Sequence, residues 1–341
     1  MTLRSLMKTA AAEALSRTGA DRLWGASGAQ GPVVLGYHRV VEDYRQASLR
    51  CIPPMLISTS MLESHLDWLS RRFRIVSLAE LADGLECGAS STTPLAALTF
   101  DDGYRDFYEH AFPLLQRKGL PATVFVVTDL LGQPRLFQHD RLYLLLARAG
   151  APARAFAATR ALLETRSSSE LERVMESLAA AYGLEDERFP ELHAMSWEMV
   201  ASMHRAGVTI GSHTRTHALL SHEDPTRVRD EVDGSRQELE RRLGAPVCHL
   251  AYPDGRFNGA VVDEVAAAGY RLAFTTCRHR DLRHPRLTVP RRLLWQNSCT
   301  DGAGRFSPAL MRCQVQGVFD RIGRCRQDHA APAPRAQAIP A

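Results

Sequence analysis

Short apolar runs alternate with helical patterns along most of the chain, and this alternation predicts a parallel sheet covered by helices. Continuous apolar runs predict buried strands at 33–38, 95–100, 122–127, 208–210, 247–251 and 272–275. Apolar residues with helical spacing predict helices at 60–71, 78–85, 104–118, 197–206, 226–243 and 258–268. The predicted fold class is therefore α/β.

Three segments do not follow this alternation. Residues 1–32 combine the apolar spacing of an amphipathic helix with a Gly-rich link. Residues 135–195 are rich in Ala, Leu, Arg and Glu and predict two or three helices, a helical insertion within a main domain at 33–300. Residues 301–341 form a C-terminal extension whose Ala- and Pro-rich tail, from 328 onward, is predicted to be disordered.

Charge and cysteine content restrict the class of protein. The 341-residue chain has a formal net charge of +4, too small and too dispersed to indicate a nucleic-acid partner. Its seven cysteines are odd in number and include no C-x-x-C pair, so neither a disulfide framework nor a thiolate zinc site is indicated. Reduced cysteines in a cytoplasmic protein are the simplest interpretation.

The sequence contains no run of the roughly twenty apolar residues that a membrane span needs. Charged residues also interrupt the N-terminal segment, which excludes a continuous secretory h-region. We therefore predict a cytoplasmic location. The N-terminal helix is expected to pack on its own domain, and peripheral contact with a membrane is the less favoured alternative.

The segment Thr99-Phe100-Asp101-Asp102-Gly103-Tyr104 places two adjacent carboxylates directly after a predicted strand. Adjacent carboxylates repel each other and are costly in a core. At the carboxyl end of a strand they would face the mouth where α/β enzymes place their sites, and Gly103 permits a sharp turn there. The pair is equally typical of a helix N-cap, with Asp102 capping a helix that starts at Tyr104.

The segment Gly211-Ser212-His213-Thr214-Arg215-Thr216-His217 also follows a predicted strand and contains two histidines four residues apart. On one face of a helical turn, this spacing lets both imidazoles share a metal ion, although such pairs are more often surface histidines. One Asp and two His would form an open ligand set with positions left for water and substrate. The other Asp would then be free to act as a base.

Two further strand ends carry weaker signals. Pro253-Asp254-Gly255 is strong turn chemistry in any protein. The functional interpretation of Tyr252, Pro253 and Asp254 is a wall of the site that offers a backbone N–H to an oxyanion. His38 follows the first strand, where a single histidine is more often structural than catalytic.

Taken together, these motifs resemble the polysaccharide deacetylase family, also called the NodB-homology domain or carbohydrate esterase family four. The resemblance runs from about Val33 to about Leu294. Thr-Phe-Asp-Asp-Gly at 99–103 is similar to the family's first motif, His-Thr-x-x-His at 213–217 to its second, and residues 119–126 to the strand between them. The resemblance implies a distorted barrel of the (β/α)7 type, with fewer than eight complete units.

The resemblance also implies roles for four residues. Asp101 would be the general base that activates a metal-bound water. Asp102, His213 and His217 would bind a divalent metal, with Zn²⁺ as the expected ion.

The chain departs from the family pattern in three places. Ala251 and Asp254 stand where the third motif has an Arg and a Tyr, and the segment resembles the Ala-Tyr-Pro-x-Gly form of a branch that acts on poly-N-acetylglucosamine. The Asp-rich fourth motif is not evident near 275–280, and the C-terminal Leu-x-His that supplies the general acid is missing. That branch has a circularly permuted barrel and an N-terminal Tyr-His in the place of the acid, which implies His38 as the acid and leaves His284 as a rival.

These implications predict a metal-dependent hydrolase that removes acetyl groups from N-acetylated amino sugars of a polysaccharide or glycoconjugate. Two alternatives stay open. The same site would suit an O-acetyl esterase or another amide hydrolase, and a catalytically silent carbohydrate-binding relative would share the fold. The expected partner is a saccharide, with no nucleic acid and no transmembrane segment.

Overall fold

A parallel sheet forms the centre of the computed structural model, which describes residues 3–19, 32–87, 93–150, 152–319 and 329. Within these residues, nine strands form one sheet whose pairings are all parallel, and two short strands, β2 and β3, pair with each other. The strands are β1 (Val33–Tyr37), β2 (Arg39–Val41), β3 (Leu56–Ser58), β4 (Arg74–Ile75), β5 (Leu95–Phe100), β6 (Thr123–Val126), β7 (Thr209–Ser212), β8 (His249–Ala251), β9 (Leu272–Thr275), β10 (Val289–Pro290) and β11 (Arg292–Leu293).

The chain itself joins the two edges of this sheet. The strand order is β10-β9-β8-β7-β6-β5-β1-β11, with β4 also paired to β5. β10 and β11 lie at opposite ends of the order, although only Arg291 separates them along the chain. The sheet therefore curls into a nearly closed barrel, and the predicted distorted parallel barrel is confirmed.

Helices cover the barrel in the positions that the apolar spacing predicted. The α-helices of the described residues are α1 (Leu3–Thr18), α2 (Tyr44–Ala47), α3 (Thr59–Ser70), α4 (Leu78–Cys87), α5 (Phe112–Lys118), α6 (Gln138–Arg148), α7 (Pro152–Leu163), α8 (Ser168–Tyr182), α9 (Trp197–Arg205), α10 (Pro225–Arg229), α11 (Ser235–Leu243), α12 (Gly259–Ala267) and α13 (Pro308–Val315). π-helical segments at Phe107–Ala111 and Asp230–Gly234 run directly into α5 and α11. Such bulges are frequent at functional sites.

Local chemistry explains where these helices begin and end. The Ser58 hydroxyl accepts the backbone N–H of Met61 at 3.2 Å and caps the N-terminus of α3. Asn258 does the same for α12, through the N–H of Val261 at 3.0 Å. Helix α5 ends at Gly119, whose left-handed φ of 62° suits a glycine C-cap.

Helices α6, α7 and α8 occupy the segment predicted to be a helical insertion. They bury an apolar cluster of their own, formed by Leu142, Leu145, Leu171 and Met175. The segment is tied to the barrel at its base, because Leu136 pairs with His193 and Tyr104 pairs with Ala194. The proposed domain bounds themselves stay a prediction.

The N-terminal helix packs on its own domain. Helix α1 lies against α13, and the ammonium group of Lys8 lies 3.3 Å from the carbonyl oxygen of Ser298 and 4.9 Å from the centre of the Phe319 ring. Among the described helices, none is both long enough and apolar enough to cross a bilayer. The predicted Gly-rich link and, apart from residue 329, the predicted disordered tail lie outside the described residues.

The turn after β5 requires glycine at position 103 for two reasons, its left-handed backbone and the close approach of Val126. Comparison with a second glycine separates the two contributions to stability. Gly103 has a φ of 78°, and a Cβ added there would lie 2.8 Å from Cγ1 of Val126. Gly119 has a φ of 62° but open space around the same position. We expect Gly119→Ala to lower the free energy of unfolding by about 1–2 kcal/mol through backbone strain alone. Gly103→Ala should cost about 1–3 kcal/mol more, because its methyl group is overpacked.

Chemical denaturation of both variants measures this difference directly. Equal losses of unfolding free energy would show that the contact with Val126 relaxes without cost.

Candidate active site

The side chains singled out in the sequence converge at one rim of the barrel. Because the strands are parallel, their carboxyl ends meet at the same edge. The residues at this rim are His38 after β1, Asp101 and Asp102 after β5, His213 and His217 after β7, and Tyr252, Pro253 and Asp254 after β8.

Asp102 is a buried carboxylate without a hydrogen-bond partner. It is 1% exposed, and neither of its oxygens accepts a hydrogen bond from the described residues. Its φ of 69° turns the backbone sharply, and helical structure begins only after Tyr104. The interpretation of Asp102 as a helix N-cap is therefore wrong, since a cap would accept backbone N–H bonds from the following turn.

Two imidazoles face this carboxylate. Nε2 of His213 lies 3.4 Å and Nε2 of His217 lies 3.2 Å from Oδ1 of Asp102. Burial opposes the charge on Asp102, but the two imidazoles outweigh it and hold the pKa of this carboxyl well below its usual range. The carboxylate is therefore ionised at neutral pH.

His213 is fixed in one tautomer. Its Nδ1 lies 2.7 Å from the carbonyl oxygen of Ala251, and a carbonyl can only accept, so Nδ1 carries the hydrogen. In the neutral ring, Nε2 then carries the lone pair and can bind a cation. A second hydrogen bond, from the backbone N–H of His213 to the carbonyl of Val126 at 2.9 Å, holds the residue beside β6.

The two histidines do not lie on a helical turn, which corrects the sequence-based expectation. Residues 213–217 form an irregular loop in which Thr214 and His217 have φ values of 69° and 65°. Left-handed backbone of this kind is uncommon for residues other than glycine and clusters at functional sites. The rings meet all the same, with centroids 4.9 Å apart and planes at 75°.

Glu231 holds this loop in shape. Its side chain is fully buried and accepts the backbone N–H groups of Arg215 and Thr216, each at 2.9 Å. It also accepts the Thr216 hydroxyl at 2.6 Å and pairs with Arg227 at 2.8 Å. Residue type and spacing do not predict this role, because an acidic residue in a helical pattern is usually solvated.

Asp101 is paired with a guanidinium that the sequence analysis missed. Arg291 donates from Nη1 to Oδ1 at 2.6 Å and from Nη2 to Oδ2 at 2.5 Å, and both side chains are almost fully buried. Such a fork-to-fork pair fixes the orientation of a carboxylate as well as its charge. Arg291 lies at the junction of β10 and β11, whereas the family's third motif has its arginine at the position of Ala251.

His38 lies at the same centre. Its Nε2 is 3.8 Å from Oδ2 of Asp101, and burial lowers its pKa. The rival acid His284 instead lies near the surface, 3.7 Å from Asp263. Of the two histidines considered as a general acid, only His38 is adjacent to Asp101.

The three residues at 252–254 differ in their ability to donate a hydrogen bond to an oxyanion. The hydroxyl of Tyr252 donates to the carbonyl of Leu287 at 2.8 Å, and its backbone N–H donates to the carbonyl of Phe274 at 3.0 Å. Neither polar hydrogen of Tyr252 is therefore available to an oxyanion. Pro253 has no N–H to offer. The prediction therefore narrows to the backbone of Asp254, an exposed residue with a left-handed φ of 53°.

A second cluster of polar side chains, which the sequence analysis did not identify, borders the site. The Tyr104 hydroxyl lies 2.6 Å from both Nε2 of His139 and Oδ2 of Asp140, and all three residues are buried. Burial lowers the pKa of His139 to about 3 and raises that of Asp140 to about 6. The sequence does contain one signal for these residues, a His-Asp pair in the first turn of the helix that follows Phe137.

The residues present fit a divalent cation. One carboxylate oxygen of Asp102 and one nitrogen each of His213 and His217 lie within 4.8 Å of one another. A buried, ionised carboxylate that accepts no hydrogen bond is costly unless a cation compensates it. Two imidazoles and one carboxylate form an open donor set of the kind that binds catalytic zinc.

Comparison with known proteins agrees with this geometry. A sequence model described as polysaccharide deacetylase matches residues 89–273, which is more than half of the chain. The chain belongs to the polysaccharide deacetylase family. The matched segment contains both acidic residues, both loop histidines and the helical insertion.

Two curated relatives show the range of this family likeness. The chain is 20% identical over 215 residues to the Bacillus subtilis protein YxkH, whose name assigns it to the polysaccharide deacetylases; this covers 63% of this chain and 56% of the relative. It is 24% identical over 253 residues to the Escherichia coli K12 protein named poly-β-1,6-N-acetyl-D-glucosamine N-deacetylase, covering 72% of this chain and 34% of the relative. The chain thus matches about half and about a third of the lengths of these relatives.

Solved structures share the fold. The Streptococcus pyogenes deacetylase PplD, solved with acetate, superposes with a TM-score of 0.57 at 18% identity, covering 83% of this chain and 97% of that chain. IcaB from Ammonifex degensii gives a TM-score of 0.55 at 21% identity, covering 84% and 97%. The barrel is therefore the fold of this polysaccharide deacetylase family.

The role of Glu231 can be tested through metal affinity. Glu231→Gln keeps the size of the side chain but replaces one acceptor oxygen with an NH₂ group, which cannot accept the loop N–H groups or pair with Arg227. We expect Zn²⁺ affinity, measured by calorimetry on metal-free protein, to fall by about tenfold or more, as for other residues that orient metal ligands.

Glu238→Gln is the matched control, because Glu238 is partly exposed and, among the described residues, pairs only with Arg241 and Arg242 on its own helix. Equal zinc affinities for the two variants and the unaltered chain would show that the loop holds its shape without Glu231.

Proposed function

We propose that this chain is a metal-dependent hydrolase that removes acetyl groups from N-acetylated amino sugars of a polysaccharide or glycoconjugate. One observation carries the proposal: an ionised, buried Asp102 faces two imidazoles, while the adjacent Asp101 is separately oriented by Arg291. Membership of the family and the name of the Escherichia coli relative support the substrate class.

The metal is proposed to be Zn²⁺, bound by Asp102, His213 and His217. This donor set is typical of catalytic zinc sites. When bound, the cation supplies Lewis acidity, which polarises a carbonyl and acidifies water. Every other group that the reaction needs belongs to the chain itself.

Asp101 is proposed as the general base. It takes a proton from the water that attacks the acetyl carbon, and Arg291 keeps its carboxylate directed during this transfer. The backbone N–H of Asp254 is proposed to stabilise the negative charge that develops on the acetyl oxygen.

His38 is proposed as the general acid. The new C–O bond forms as water adds, and the C–N bond breaks when the sugar nitrogen receives a proton. Burial lowers the pKa of His38, so the resting ring is mostly neutral at neutral pH. Once it has gained the proton that Asp101, 3.8 Å away, takes from water, it is a stronger acid than an exposed imidazolium and readily protonates an amine. The products are acetate and a free amino sugar.

Acetate release tests this assignment. The unaltered chain should release acetate from N-acetylated oligosaccharides in the presence of Zn²⁺, and a chelator should stop the release. Asp101→Asn should lower turnover by about a hundred- to ten-thousand-fold, the usual contribution of a general base. Its bound zinc, measured on the same samples, should be unchanged.

His217→Ala is the contrasting variant, because it should lose zinc and activity together. Near-normal turnover in Asp101→Asn would reject the base assignment. Release from O-acetylated sugars alone would instead favour the esterase alternative, and binding of saccharides without any release would favour a silent relative.

A further inference from the structure

The helical insertion brings a histidine against one of the metal ligands. We propose that His139, in the first turn of α6, is a positioning residue that keeps His217 directed toward Asp102, so that the insertion is part of the active site. This inference rests on the proposed metal site. It assigns a role to a segment that the proposed chemistry does not otherwise use.

The two metal-ligand histidines differ in how they are held. His213 is buried and its Nδ1 donates to the carbonyl of Ala251 at 2.7 Å. His217 retains 15% side-chain exposure, and no described residue accepts a hydrogen bond from its Nδ1. Metal-binding histidines usually gain their orientation from such a bond. Packing against neighbouring side chains is therefore the protein contact left to orient the Nδ1 side of the His217 ring.

His139 provides that packing. Its ring centroid lies 5.2 Å from that of His217, with the two planes at 63°. This edge-to-face arrangement is a favourable geometry for aromatic rings. His139 also stacks on Phe137, with ring centroids 5.5 Å apart and planes at 23°, so the imidazole contacts both an apolar ring and the proposed metal ligand.

Hydrogen bonds fix His139 itself. Tyr104 has a single hydroxyl hydrogen, which it donates to the carboxylate of Asp140 at 2.6 Å. Nε2 of His139, also 2.6 Å from the phenol oxygen, must then be the donor in that contact. The imidazole is thus oriented by its hydrogen bond to the buried Tyr104, which Asp140 fixes in turn.

The base of the insertion is joined to the turn that carries Asp102. Backbone N–H groups of Met195 and Arg105 donate to the carbonyls of Gly103 and His193 at 3.0 and 3.1 Å. The contact between His139 and His217 therefore belongs to one connected framework with the metal ligands.

Zinc affinity of the metal-free full-length chain, measured by calorimetry, tests the proposal. His139→Ala removes the ring and should weaken Zn²⁺ binding by about tenfold, as is usual for residues that orient a metal ligand. His139→Phe keeps an aromatic ring against His217 and should restore most of the affinity. Leu171→Ala is the control, because it lies in the insertion's own apolar cluster and should lower the melting temperature without changing zinc affinity.

Unchanged zinc affinity in His139→Ala would overturn the proposal. Equal weakening in His139→Phe and His139→Ala would also overturn it, because the imidazole would then act through a nitrogen and not through packing. Weakening in Leu171→Ala equal to that in His139→Ala would assign the effect to general loosening of the insertion. If the unaltered chain binds no zinc, or if His217→Ala binds it equally well, the metal site itself is rejected.

Discussion

Two successive carboxylates that are both buried must each have a separate source of positive charge. Asp101 and Asp102 are 3% and 1% exposed, and like charges this close cannot both stay ionised in a core without cations. Arg291 supplies this charge for the first, and the cation that Asp102, His213 and His217 are proposed to bind would supply it for the second. The left-handed backbone at Asp102 and Gly103 turns the two side chains toward these different partners. The two adjacent aspartates thereby have different roles, Asp101 as a base paired with Arg291 and Asp102 as a proposed metal ligand.

The parallel barrel makes this division possible. Because its strands share one direction, residues as distant as His38 and Arg291 meet at a single rim. Arg291 also lies between the two strands that join the sheet edges, so closure of the barrel and orientation of Asp101 depend on the same few residues. The buried Glu231 and the insertion residue His139 lie farther out and hold the histidine loop against this rim.

The pattern of apolar and polar residues predicted much of the fold. Strands at 95–100 and 272–275 were predicted with the bounds that the structure has, since continuous apolar runs next to turn residues are a strong signal. The meeting of Asp102, His213 and His217 followed from their positions at strand ends. The predicted helical turn at 213–217 was wrong, because left-handed φ values at Thr214 and His217 have no signal in residue type alone.

The remaining site residues depend on contacts that no local pattern reports. Arg291 lies 190 positions from Asp101, and only the closure of the sheet brings them together. Glu231 has the sequence pattern of a solvated helix face, and His139 lies in the insertion, outside the motifs that resemble the family. The roles of such residues can be recognised only in the folded structure, which shows the side chains that they contact.

Anomalous diffraction from crystals of the full chain grown with Zn²⁺ tests the central claim most directly. We expect one dominant peak at the zinc edge, about 2.0–2.2 Å from an Asp102 oxygen and from Nε2 of both His213 and His217. A zinc peak bound by other residues, with the carboxylate of Asp102 still unpaired, would contradict it.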